Sequence, residues 1–145
     1  MSTIKVDTYL TRGGVSEIAI DKLKGVSSAS SISVVAEGGS TTTNLQQGLA
    51  KSWASFNGGS DAIGDSFNTS GITDNGSADY SVGFTNNMGN ANYSMYQCGG
   101  YSGNSGYTAM IYATSTNEAE FRSVYDDNTL FEFTLQTCAM FGDLV

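Results

Sequence analysis

Apolar and polar residues alternate in short runs along this chain, and the alternation sharpens towards the carboxyl end. Ile4-Lys5-Val6-Asp7-Thr8-Tyr9-Leu10 is the first such run, followed by the shorter Glu17-Ile18-Ala19-Ile20 and Ser31-Ile32-Ser33-Val34-Val35. A period of two is the signature of strands, whose successive side chains point to opposite faces. Beyond residue 50 come runs around Trp53 and Phe56, then Asp65-Ser66-Phe67-Asn68 and Gly71-Ile72-Thr73. Asp74-Asn75-Gly76 marks a hairpin turn, because Asn-Gly suits the positive backbone angles a tight turn needs. The returning strand places Tyr80, Val82 and Phe84 on one face, and Ser81 and Gly83 on the other. Tyr93–Cys98, Ala109–Ala113 and Phe121–Tyr125 continue the series, the last ending at Asp126-Asp127-Asn128. In the final strand Phe131, Phe133, Leu135, Ala139 and Phe141 share one face, expected to be core or subunit interface. Glu132, Thr134 and Gln136 take the other. Trp53 is expected in the core. The one helical candidate is Thr43–Ser52, with Thr43 as cap and Gln46 reaching back, although Gly48 weakens it and a strand through Trp53 competes.

Strands separated by turn signals every ten to fifteen residues predict an all-β fold, an antiparallel β-sandwich of jelly-roll-like form. Composition agrees: Tyr and Phe are plentiful, the 18 Gly residues supply turns, and Pro is absent. The run Gly38-Gly39-Ser40-Thr41-Thr42-Thr43 reads as a linker or exposed turn. It divides an amino-terminal arm, residues 1–43, from a head, residues 44–145. The arm is too poor in large apolar residues to build its own core and is expected to hide its apolar face against something else, such as a second chain or a larger particle.

Charge sharpens that division. Residues 1–55 carry Lys5, Arg12, Lys22, Lys24 and Lys51 against Asp7, Glu17, Asp21 and Glu37, a net of +1. Residues 56–145 carry Arg122 alone against ten acidic residues, a net of −9. Such a body repels phosphate backbones, so no nucleic-acid partner is expected. No apolar run approaches the roughly 18–20 residues of a membrane helix, so no membrane insertion is expected. The opening Met1–Lys5 lacks the apolar segment of a secretory leader, and synthesis in a cytoplasm is expected. Cys98 and Cys138 both sit in apolar strand-like runs. Buried free thiols are the favoured reading and a single disulfide the alternative.

Catalytic chemistry finds little footing. The chain has no His, which removes imidazole-based nucleophilic, acid–base and metal chemistry. No catalytic residue, metal site or cofactor is expected. A carboxylate-only glycosidase drawing on Asp65, Asp74, Asp79, Asp126 and Asp127 is the surviving enzymatic reading. Most of those residues stand where turns favour Asp. Asp74–Asp79 has a faint likeness to a calcium loop but lacks its alternating ligands, and reads as a hairpin. Asn68-Thr69-Ser70, Asn75-Gly76-Ser77 and Asn92-Tyr93-Ser94 read as surface turns. The Gly-rich stretch Gly99–Tyr107 is the candidate binding loop. Tyr101 and Tyr107 offer flat faces and Asn104 an amide, a set able to grip a sugar by stacking and hydrogen bonding. The competing reading is a hairpin or Ω-loop whose tyrosines pack locally or on a neighbouring subunit.

The series Asn44-Leu45-Gln46-Gln47-Gly48-Leu49-Ala50-Lys51-Ser52-Trp53, Phe56-Asn57-Gly58, Ile63, Asp65–Asn68, Ile72–Gly76 and Asp79-Tyr80, with the ending Met140-Phe141-Gly142-Asp143-Leu144, resembles a domain of marine bacteriophages. That domain is the carboxyl-terminal one of tail-fibre and minor structural proteins in cyanophages and pelagiphages. Met1–Asp7 is similar to the start of short fibre proteins in such phages. The likeness covers residues 44–85 best and the final strand less closely. It implies a virion structural protein, a homotrimer at the phage tail, with no catalytic residue. Its expected partners are further copies of itself, other tail proteins and a host surface glycan. A capsid decoration or tail connector without receptor contact, and a small polysaccharide depolymerase, are the alternatives.

Overall fold

The structure is a computed structural model, describing residues 13, 20–24, 32–36, 38–101, 104–125 and 128–145, with the backbone alone for Tyr101 and residues 104–114. The expected runs Ile4–Leu10 and Glu17–Ala19, and Asp126 and Asp127, lie outside the described residues.

The chain is all-β. A small hairpin comes first, β1 (Ser33–Val35) paired antiparallel with β2 (Thr42–Asn44). Its connection uses Gly39 at φ 78°, and the Ala36 N–H donates to the Thr41 carbonyl at 2.8 Å. The small-polar run of residues 38–43 is therefore a hairpin turn running into a strand. One helical turn follows, α1 (Leu45–Gly48). Its cap is Asn44, not Thr43: the Asn44 side chain accepts from the Gln47 N–H at 2.9 Å. The Lys51 ammonium satisfies the far end, donating to the Gln46 carbonyl and, at 2.7 Å, to the Leu49 carbonyl. The helix stops there because Ser52 onwards alternates with period two and is drawn into the sheet.

Eight strands make the body: β3 (Ser52–Phe56), β4 (Ile63–Phe67), β5 (Thr69–Gly76), β6 (Asp79–Phe84), β7 (Ser94–Tyr101), β8 (Asn104–Thr114), β9 (Glu118–Ser123) and β10 (Leu135–Phe141). Their order across the sheet is β4-β3-β10-β7-β8-β9-β6-β5, with every pairing antiparallel. β10 returns beside the first strand of the β7-β8-β9 meander, and β6 lies beside its last, giving two overlapping Greek keys. β8 pairs with β7 through residues 104–108 and with β9 through residues 109–114, so it carries the sheet from one layer to the other. The two outermost strands, β4 and β5, are joined by one residue, Asn68. Strands at opposite ends of an eight-stranded sheet can be that close in sequence only if the sheet curls back on itself. The result is a sandwich-like body with β4-β3-β10-β7 facing β9-β6-β5.

Between the layers lies one apolar core. Ala54, Phe56, Met95, Cys138 and Met140 come from the first layer; Tyr80, Val82, Phe84, Ala119 and Phe121 come from the second. Phe56 meets Tyr80 edge-on, ring centroids 5.3 Å apart, and Tyr80 lies 5.8 Å from Phe121. The expected inward face of β6 is observed. The expected faces of β10 are inverted, however. Gln136, Cys138 and Met140 point in, while Leu135, Thr137, Ala139 and Phe141 point out. The run of apolar residues before the strand does not continue its phase: Phe133 is buried, Phe131 half-buried and Leu135 53 % exposed. Trp53 is likewise on the outer face of β3, half-buried, between inward Ser52 and Ala54. Gln136 tolerates burial because its amide donates to Ser123 Oγ at 2.7 Å and accepts from Gln97 Nε2 at 2.6 Å, tying β10 and β7 to β9.

Asn68 holds the closure. It sits at φ 54°, a left-handed conformation that Asn tolerates better than most residues. Its amide donates to the Lys51 and Asn86 carbonyls at 2.8 and 3.0 Å, and its Oδ1 accepts from the Asn86 N–H at 2.7 Å. Asn68→Ala should therefore destabilise the body by about 2–4 kcal/mol, through lost hydrogen bonds and left-handed strain. Asn68→Gly should cost about 1 kcal/mol less, since glycine takes this conformation freely. Urea unfolding of the two variants checks the order; equal losses would mean that backbone conformation plays no part.

Candidate functional site

The residues expected to bind a ligand lie at the end of the β7–β8 hairpin. Tyr101 pairs with Asn104, and Gly99 with Tyr107. The stretch 99–107 is thus mostly strand rather than a long loop, with a register shift between Gly99 and Tyr101. Both tyrosines and the asparagine belong to one hairpin; their side chains lie outside the described residues. At the base of the hairpin Gly99 is fixed by packing, since a Cβ there would stand 2.6 Å from Phe133 Cδ2.

The carboxylates weighed for glycoside chemistry are spread apart by the fold. Asp65 lies on the outer face of β4, where its Oδ1 accepts from the Ser66 N–H at 2.8 Å. Asp74 accepts from the Gly76 N–H at 2.8 Å, the local bonding that turn positions favour. The hairpin tip itself is Ser77-Ala78, with Ala78 at φ 57°, two residues beyond the Asn-Gly signal. Asp79 is not a turn residue. It opens β6 and pairs across to Arg122 on β9 at 2.6 Å.

A second acidic group does converge. Burial pushes the Asp61 carboxyl up from its usual range, and Asp74 and Glu132 push it further. The same acids, after burial, push the Tyr80 hydroxyl up. That hydroxyl donates to the Gly58 carbonyl at 3.1 Å, and a Cβ at Gly58 would stand 2.5 Å from it. These contacts close the sandwich end. Among the described residues no group of His, Cys, Asp and Glu is arranged to hold a metal ion. No helix among them is long and apolar enough to cross a membrane.

The feature that alternation alone did not reveal is the outer face of β4-β3-β10-β7. Register lines up Phe67, Trp53, Ala139 and Tyr96, one on each strand. The next row is Asp65, Ser55, Thr137 and Cys98. Tyr96 is 72 % exposed, and Phe67 and Leu135 each 53 %. Cys98 is exposed and Cys138 buried, and both are free thiols. The register explains why they do not bridge. Cys98 lies opposite Thr137 and points out, whereas Cys138 lies opposite Gln97 and points in. The signal was present in the odd-numbered positions of residues 135–141, more apolar than the even-numbered ones that the fold buries.

Two solution measurements follow. In dilute native protein a maleimide should modify Cys98 and spare Cys138 until unfolding; modification of both at one rate would contradict the assigned faces. Burial pushes the Cys138 thiol up to about 11 and the Tyr93 hydroxyl to about 12, from ordinary values of 9.0 and 10.0. Both groups hold their protons more tightly folded than unfolded. Their contribution is complete below the unfolded values and is lost as pH rises through the folded ones. Unfolding free energy should therefore begin to fall near pH 9 and steepen above pH 10. Each group contributes at most about 1.4 kcal/mol per pH unit. Cys138→Ala should remove the first part of that fall.

No protein-family model, curated protein or solved structure matches this chain, so the sheet, its outer face and the hairpin are what its function has to be argued from.

Proposed function

We propose that this chain is a bacteriophage virion structural protein of the tail-fibre type, without catalytic activity, working as a homotrimer. The amino-terminal segment docks on neighbouring tail proteins, and the β-sandwich head faces outwards, where the β7–β8 hairpin contacts a host surface glycan.

One observation carries the reading. Among the described residues nothing before Lys51 is buried. Ile20, Leu23, Val34 and Val35 are 56, 59, 50 and 57 % exposed. A two-stranded hairpin with valines in water is marginal alone and gains stability when another surface covers it. The head, by contrast, carries its own core from Ser52 onwards. A self-sufficient body with an arm whose apolar residues stay exposed is the organisation of a subunit that completes its fold by assembly.

Limited proteolysis of the dilute chain should cut within residues 1–43 and leave the head intact. An arm that resists proteases in a monomer would remove the basis of the reading. Gold-labelled antibody on intact particles should mark the tail; label over the head would favour a capsid decoration. Tyr101→Ala combined with Tyr107→Ala should cut binding to host cells at least tenfold with the fold unchanged. Unchanged cell binding would take the hairpin out of receptor contact.

A further inference from the structure

We propose that Asn75 is a site of spontaneous covalent modification in the folded protein, and that the fold shields Asn57 from the same reaction. The chain has two Asn-Gly pairs, Asn57-Gly58 and Asn75-Gly76. In such a pair the backbone nitrogen of the glycine attacks the side-chain amide before it. A bond from that nitrogen to Cγ forms, the Cγ–Nδ2 bond breaks, and ammonia leaves with the proton the nitrogen has lost. Water then opens the five-membered imide at either carbonyl, giving aspartate or isoaspartate. Glycine favours the step because no Cβ obstructs the approach and its backbone bends freely. Neither pair belongs to the arm or to the β7–β8 hairpin, so the inference is independent of the assembly reading.

The two pairs are held very differently. Gly58 is buried, and its N–H donates to the Phe133 carbonyl at 3.0 Å. A Cβ there would stand 2.5 Å from Tyr80 Oη and 2.7 Å from the Phe133 carbonyl oxygen, so this backbone has no room to swing. The Asn57 amide is engaged with the residue beyond, its Oδ1 accepting from the Gly59 N–H at 2.9 Å. Freeing the nucleophile means opening the sandwich end that Tyr80 closes through its bond to the Gly58 carbonyl.

Asn75 and Gly76 are both exposed. Asp74 pairs with Tyr80 and Gly76 with Asp79, which leaves Asn75 as the extra residue of a β-bulge. Gly76 stands at φ 138°, with nothing within 4 Å of where a Cβ would lie. Two hydrogen bonds restrain the pair. The Gly76 N–H donates to Asp74 Oδ1 at 2.8 Å, and Asn75 Nδ2 donates to Ser81 Oγ at 2.9 Å. The first is exposed, and water replaces such a bond at small net cost. The second ties the amide to a buried serine and must break before the ring closes. Both lie at the end of a hairpin, so they open by local fraying and need no unfolding of the core.

The reaction changes the head in two ways. It turns a neutral side chain into a carboxylate beside Asp74, on a body already at −9 over residues 56–145. Like charges then oppose one another at the hairpin end. Isoaspartate also routes the main chain through the side chain and lengthens it by one carbon. Gly76 then loses its register against Asp79, whose carboxylate binds Arg122 at 2.6 Å.

The test holds the full chain folded at neutral and at mildly alkaline pH, and in parallel in enough urea to unfold it. Samples are digested at acidic pH, where cyclisation is slow, and the peptides around residues 57 and 75 are followed by mass spectrometry. In the folded sample Asn75 should convert at least tenfold faster than Asn57. Its rate should rise with pH, because the attacking nitrogen must lose its proton. In urea the two should react at similar rates, since only the fold distinguishes them. Isoelectric focusing of the folded protein should show a more acidic form growing at the rate of Asn75 conversion. Asn75→Gln should not produce that form, because the longer side chain cyclises far more slowly. A folded sample in which Asn75 stays as intact as Asn57 overturns the proposal. Equal conversion of both pairs also overturns it, since the reaction would then belong to unfolded chains. An acidic form that persists in Asn75→Gln does the same by placing the change elsewhere.

Discussion

The fold depends on one short connection. β4 and β5 are the two ends of an eight-stranded sheet, yet only Asn68 separates them. Every strand between is constrained by that fact: the sheet must curl until its ends meet, and two layers must face each other. The constraint is local and polar in origin. A left-handed residue turns the chain, and its side chain binds the Lys51 and Asn86 backbones that flank the junction. Thr69 Oγ1 adds a bond to the Trp53 carbonyl at 3.1 Å, fastening β5 to β3. The apolar core of Tyr80, Phe121, Phe56 and Met140 then fills a space whose boundary this corner has set.

That corner also shows where sequence reading succeeds and where it fails. The strands of the body were legible because alternation is a local property of the backbone; β2 was not, since its Thr-Thr-Asn carries no alternation. The hairpin of β5 and β6 was legible too, although its tip falls at Ser77-Ala78 because Gly76 still pairs with Asp79. The faces of β10 were not. Its odd positions look like core, and nothing within the strand says otherwise. The decision is made elsewhere, by Ser123 and Gln97, which give Gln136 its partners, and by Ala54 and Ser52, which stand opposite Cys138 and Met140. Register belongs to the sheet, not to the strand. The misplacing of Trp53 has the same cause, because β3 takes its phase from β10.

The residues expected from composition to bind a ligand, Tyr101, Asn104 and Tyr107, fall on one hairpin. Sequence proximity made that part legible. The outer face of the first layer is built instead from residues 53, 67, 96 and 139, too far apart along the chain for any local pattern to join them. Only the strand order assembles the row, and the inverted polarity of β10 adds Leu135 and Phe141 to the same face.

Charge and hydrophobicity are therefore arranged at two scales. Along the chain, cations concentrate before residue 56 and anions after it. Across the folded head, anions are displaced from one sheet face and apolar groups are gathered there. An isolated head needs neither, since its core is complete without them. The glutamine in the core is the counterpart of the leucine outside it. One register of β10 places both, so the polarity of the outer face is set in the same step as the fold.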